Sequence, residues 1–186
     1  MIRAAALVLF LALPAGARPV AYDLQAAQST AGFEVDFGGQ ILRGDIPVLA
    51  ADLVLDFETL ANCRIDVTPD AGRAQANLPF ATEALKGASV LDAAAFPAMV
   101  FHSDSVTAAG QGARVTGTLT LRGVTRPIVL EAVIWRQKGT AEGDLSRLTV
   151  RLTGSLRRSD FGATGYAGPV ADRVHLVITA RLRRHD

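Results

Sequence analysis

Residues 119–131 read LTLRGVTRPIVLE. Leu119 and Leu121 alternate with threonines, RGVTR interrupts, and Ile128 and Leu130 take up the alternation again. Apolar residues at every second position mark a strand with one buried face, because successive side chains of an extended chain point to opposite sides. Gly123 permits the turn, and Pro127 is expected to start the returning strand, where a missing N–H is tolerated. The segment reads as a hairpin. What it belongs to depends on how often the pattern recurs.

It recurs throughout. TAGFEVDF sets Ala31, Phe33, Val35 and Phe37 on one face, and ADLVLDFE does the same for Leu53, Leu55 and Phe57. CRIDVT aligns Cys63, Ile65 and Val67. AMVFHSDSV divides into Met99 and Phe101 against Val100, His102, Asp104 and Val106. ARVTGTLTL carries Val115 with Leu119 and Leu121, PIVLEAVIW is apolar on both faces, RLTVRLTGSLR aligns Leu148, Val150, Leu152 and Leu156, and RVHLVITARLR aligns Val174, Leu176, Ile178, Ala180 and Leu182. That is about eight strands. One stretch, residues 78–99, breaks the alternation; Thr82 is expected to cap a short helix over EALKGASVLDAA, closed by Phe96-Pro97. Antiparallel strands with polar outer faces must bury their inner faces, in a sandwich or in a closed barrel. Eight staves make a barrel wide enough to be filled by side chains or to hold one elongated ligand.

The 186 residues suit a single domain over 18–186. Residues 1–17 have the layout of a secretory signal peptide: Arg3, the apolar run AAALVLFLAL, and an A-x-A ending at Ala17. Cleavage there removes one base and no acid, leaving 18 basic and 18 acidic residues in an exported, periplasmic chain. Such a balance gives no electrostatic footprint for nucleic acid. The single cysteine, Cys63, excludes an intramolecular disulfide and by parity is a buried small hydrophobe.

Chemistry-bearing motifs are scarce. His102 and Asp104 share a strand face and form a candidate pair, but no nucleophile elbow, H-E-x-x-H pair or closely spaced metal-ligand set accompanies them. Glu34 with Asp36 reads as a solvated face, and Gly38-Gly39 and Gly162-Ala163-Thr164-Gly165 read as turns. No catalytic residue, metal or cofactor is expected. The apolar side is more informative. Phenylalanines and Trp135 supply wall-like surfaces, and small residues between them (Ala31, Gly117, Gly154, Ala180) are expected to leave room in the lumen. By parity the candidate cavity residues are Phe33, Val35, Phe37, Leu53, Leu55, Phe57, Leu119, Leu121, Leu130, Leu152, Leu176 and Ile178, with Leu85, Leu91 and Phe96 gating one mouth. Arg157, Arg158, Ser159 and Asp160 are candidates for locking the barrel by hydrogen bonds or for meeting a headgroup.

Four segments carry a resemblance beyond periodicity: STAGFEVDFGGQILRGDI, LKGASVLDAAAFPAMVFHS, VTGTLTLRGVTRPIVLE and SLRRSDFGATGYAGPVADRVHLVITARL, in that order. Together they resemble the YceI-like family across residues 22 to 184. The resemblance implies a lipocalin-like antiparallel β-barrel with a short helical segment. It also implies an exported carrier of long isoprenoid chains, such as polyprenyl phosphates or isoprenoid quinones, or of similar amphiphiles. Where family members often have a histidine and a longer loop, this chain has DFGGQ, which makes that end of the cavity more apolar. The alternative is a non-catalytic stress-response or membrane-redox partner module with a filled core. It would contact a membrane or acidic partner through a basic stripe of Arg173, Arg181, Arg183 and Arg184. A homodimer is a further partner expectation.

Overall fold

The computed structural model describes residues 18–137, 141 and 143–185, so the leader lies outside the described residues. Its strands are β1 (Val20–Leu24), β2 (Thr30–Phe37), β3 (Gln40–Asp45), β4 (Val48–Leu55), β5 (Arg64–Pro69), β6 (Gln75–Ala76), β7 (Val100–Ala109), β8 (Gly112–Leu121), β9 (Val124–Arg136), β10 (Arg147–Arg157) and β11 (Val170–Arg184), with one α-helix, α1 (Pro79–Lys86), between β6 and β7. These strands make eight staves. β1 and β2 are halves of one stave, broken by a 3-10 turn at Ala26–Gln28, and both pair with β11, Leu24 opposite Leu182 and Ala31 opposite Ile178. β3 and β4 are likewise halves of the next stave and pair with β2 and β1. From β4 the ring runs through β5, β7, β8, β9, β10 and β11, every neighbour antiparallel, and the β1–β11 pairing closes it. Closure leaves no long unpaired edge in the ring. The little β6 only extends β3, Gly44 opposite Ala76.

One end of the barrel is sealed. Tyr22 meets Phe57 edge to face with centroids 6.3 Å apart, its hydroxyl donates to the Leu145 carbonyl at 2.9 Å, and Leu148 beside them is fully buried. At the other end Ala71, Ala74, Leu91, Met99, Leu121 and Phe161 form a second core cluster. Leu119 and Leu156 pack against both clusters.

Three expectations shift. The hairpin turn is only Arg122-Gly123, both at positive φ (53° and 73°), so β9 starts at Val124, before Pro127. Pro127 is tolerated inside β9 because β10 joins that strand only from Leu130 onward. The helix starts at Pro79, whose absent N–H costs nothing in a first turn, and stops at Gly87, whose N–H bonds the Ala84 carbonyl at 3.2 Å. Thr82 therefore lies within α1, and its hydroxyl clamps β6, accepting from Ala76 N at 3.0 Å and donating to Ala76 O at 3.2 Å. In β7 the register slips between Ser103 and Ser105, a bulge that turns Val106 inward to 6% exposure, against the simple parity.

Candidate ligand cavity

Inside the ring lies a cavity of about 490 Å³, within the range of small-molecule sites. Its wall is built stave by stave from inward positions. Phe33, Val35 and Phe37 come from β2, Leu53 and Leu55 from β4 with Phe57 just beyond, Leu119 and Leu121 from β8, Leu130 from β9, Leu152 from β10, and Leu176 and Ile178 from β11; Leu85 and Leu91 reach in from α1 and the turns after it. Phe96 does not line it. Its ring lies over the β8–β9 turn, where a Cβ on Gly123 would sit 3.0 Å from Phe96 Cε1. Trp135 also leaves the lumen, standing 49% exposed on the outer face of β9. Two of the small residues open no space: the place of a Gly117 side chain is taken by the Phe101 ring and the His102 carbonyl, and that of Gly154 by Leu130. Ala31 and Ala180 do line the cavity.

Among the residues that both line the cavity and face solvent, two aromatics mark an opening. Phe80 is 62% exposed and Tyr166 53% exposed. Phe37 lies against Phe80 with ring centroids 6.5 Å apart, and Val170, which follows Pro169, pairs with Phe37 and donates its N–H to the Tyr166 carbonyl. The opening is thus an aromatic rim where α1, the β2–β3 hairpin and the 163–170 loop converge. Periodicity could not find Tyr166 or Phe80, since neither lies in a strand.

Polar side chains in the wall are few. Ser29 is spent on Gln25 O and Arg181 N, at 2.8 and 3.0 Å. Cys63 exchanges weak bonds with the Asp56 backbone, and burial pushes its thiol pKa up, the opposite of an activated cysteine. Arg158 is 7% exposed, and four backbone carbonyls accept from it: Ala163 at 2.7 Å, Gly165 at 2.6 Å, Ala171 and Val170 at 3.0 Å each. Thr30, Thr179 and Tyr166 make no side-chain hydrogen bond among the described residues. His102, by contrast, is on the outer surface, and its Nδ1 meets the carboxylate of Asp66 on the neighbouring strand, not that of Asp104. No group of three or more His, Cys, Asp and Glu able to hold a metal occurs among the described residues. The geometry can enclose hydrocarbon.

A family model described as the YceI-like domain matches residues 22–182. The chain belongs to the YceI-like family. It is 28% identical over 158 residues to a UPF0312 protein of Enterobacter sp. (strain 638), covering 84% of this chain and 82% of that one. Protein YceI of Salmonella arizonae is 33% identical over 116 residues, 62% of this chain and 60% of the relative, so that match spans less than two thirds of the relative's length. Among solved structures, Burkholderia cenocepacia BcnA aligns with a TM-score of 0.76 at 19% identity, over 86% of this chain and 99% of that one. A Campylobacter jejuni YceI protein gives 0.61 at 24% identity, over 77% and 84%. At such identities the structural likeness establishes the barrel and nothing beyond it. Within this YceI-like barrel, the quartet read as a lock divides in two. Arg158 points inward, while Arg157 and Ser159 hold Asp172 outside, with Arg157 Nε, Ser159 N and Ser159 Oγ each 2.9 Å from its carboxylate. Asp160 contributes its carbonyl to Arg126.

Proposed function

We propose that this protein is an exported, non-catalytic carrier or sequestering protein that takes the hydrocarbon chain of an isoprenoid or similar amphiphilic lipid into the barrel. The observation that carries the reading is the cavity itself: aliphatic and aromatic on every stave, open through an aromatic rim, and nearly without free polar groups. Each CH2 withdrawn from water gains about 0.8 kcal/mol, so a long chain needs no directed contact to be held. A void of this size in a wall of large residues speaks against the filled-core alternative, because a closed core would pack to crystal-like density. The isoprenoid class is supported by membership of the YceI-like family, and the periplasmic address by the leader pattern.

The test is chemical. Protein purified natively from the periplasmic fraction of expressing cells is extracted with organic solvent and the extract analysed by mass spectrometry. The expected result is a polypeptide beginning at Arg18 and one long-chain amphiphile in near-stoichiometric amount. A lipid-free protein that also takes up no added isoprenoid would overturn the carrier reading.

A further inference from the structure

The outer face of β9, β10 and β11 carries a patch that the cavity does not use. From β9, Val133 and Trp135 point outward, 38% and 49% exposed. The ladder places cations beside them. Trp135 is opposite Thr149, which is opposite Arg181; Val133 is opposite Arg151; and Arg147 is directly opposite Arg183. Trp135 therefore has Arg147 and Arg151 as its diagonal neighbours on β10, a separation that long and aromatic side chains bridge.

The cationic excess is local. From Arg147 to Arg184 the sequence holds eight arginines and two aspartates, in a chain whose formal charge is +1. Both aspartates, Asp160 and Asp172, lie toward the opposite end of the barrel, and Asp172 is engaged by Arg157. Acids that approach the patch are mostly occupied as well. Glu131 is held by Arg114, Asp23 sits 3.9 Å from Arg183 but bonds His185, and Asp144 lies near Arg147 and Arg184. Arg151 and Arg181 have no acidic partner among the described residues. Like charges facing each other across a ladder, as Arg147 and Arg183 do, weaken it. An isolated fold gains nothing from that arrangement.

We infer that this face docks the protein on an anionic lipid surface, Trp135 and Val133 entering the interface while Arg147, Arg151, Arg181 and Arg183 meet the acidic headgroups. Tryptophan favours the boundary between headgroups and hydrocarbon, and basic side chains are drawn to an anionic leaflet. A second copy of the chain does not fit, because a two-fold contact would set arginines against arginines. A soluble acidic partner would answer the arginines and leave the exposed Val133 and Trp135 unanswered. Ile134, between those two, lines the cavity although it is 38% exposed, whereas Val133 and Trp135 do not line it, so the patch lies on the outside of the barrel. The inference stands on this outer face and not on what the cavity holds.

Trp135 is the only tryptophan, which makes its fluorescence a reporter of this one place. The purified protein is titrated with vesicles of phosphatidylglycerol and phosphatidylcholine, and separately with phosphatidylcholine alone. Expected are a blue-shifted emission with the anionic vesicles only, quenching by brominated lipid, and loss of both at high salt. Each arginine near such a surface is worth roughly fivefold in partitioning, so Arg151→Ser with Arg181→Ser lowers it by about thirtyfold. Circular dichroism of the double variant checks that the barrel is intact, and the unaltered protein's titration stands without it. Unchanged emission with anionic vesicles overturns the inference. So does binding that leaves Trp135 unquenched by brominated lipid, which places the contact elsewhere, or an equal response to soluble polyglutamate, which assigns the face to an acidic protein.

Discussion

At the scale of single residues, Arg158 is the most consequential side chain of the cavity wall. A guanidinium is planar and rigid and carries five donors, so one residue can gather several carbonyls that point at the same spot. Here it gathers those of Ala163, Gly165, Val170 and Ala171, and thereby fixes the loop that forms part of the rim. Replacement by methionine keeps much of the stem volume and leaves these carbonyls without their donor. Arg158→Met is expected to cost about 2–3 kcal/mol, because buried carbonyls lose their charged donor. Arg158→Lys, with three donors at one point, recovers only part of that. Urea denaturation of the two variants measures both, and a loss below about 1 kcal/mol for the methionine variant would show that the loop is held by other contacts. In the sequence RRSD reads as an undivided place for hydrogen bonding, although the parity of β10 already divides it. Leu148, Val150, Leu152 and Leu156 face inward, and the same count puts Arg157 outside and Arg158 inside.

At the scale of elements, the same junction shows how β10 hands over to β11. Asp172, near the start of β11, accepts from the Ser159 backbone N–H, the Ser159 hydroxyl and Arg157, and these donors, in that order of importance, hold its pKa at about 2. A carboxyl depressed in the folded state contributes stability that is fully present above its unfolded pKa, near 4, and is lost as pH falls toward the folded value. The native protein is therefore expected to lose melting temperature between about pH 4 and about pH 2 with a component that Asp172→Asn removes. Parallel thermal melts across that window, compared with those at pH 7, check it; identical acid limbs would place the effect on other carboxylates. The elements themselves were largely legible: alternation located the long strands and their inward faces, because a barrel wall leaves little freedom once the register is set. Where it misled, a backbone irregularity intervened. The β7 bulge between Ser103 and Ser105 reverses parity without any glycine in β7 itself to announce it, which brought Val106 inside. The helix was misplaced because Thr82 is a good cap by composition, while Pro79 and Gly87 were the operative boundaries.

At the scale of the whole molecule, the question is whether the space within the barrel is a working volume, and Leu176 is the place to ask it. It sits midway along β11, opposite Gly154 on one side and Phe33 on the other, and lines the cavity. If the lumen is where a chain binds, Leu176→Trp fills vacant space, and the barrel tolerates it. Were the lumen a packed core, the same change would crowd it at a cost of roughly 1–3 kcal/mol. Binding separates the cases further, since a ligand at a hundred times its dissociation constant stabilises by about 2.7 kcal/mol, or roughly 5–10 °C in a chain of this size. The expected pattern is that delipidated native protein gains such a shift on adding a long-chain isoprenoid alcohol, while the tryptophan variant folds with a similar baseline melting temperature and gains none. A shift retained in the variant would move the binding place out of the barrel. A baseline collapse with no shift in either protein would return the lumen to the status of core. The outcome turns on the inside of the staves, whereas docking on lipid turns on their outside at Trp135. Because the two faces alternate along one strand, the two proposals are tested by substitutions on opposite sides of the same barrel wall.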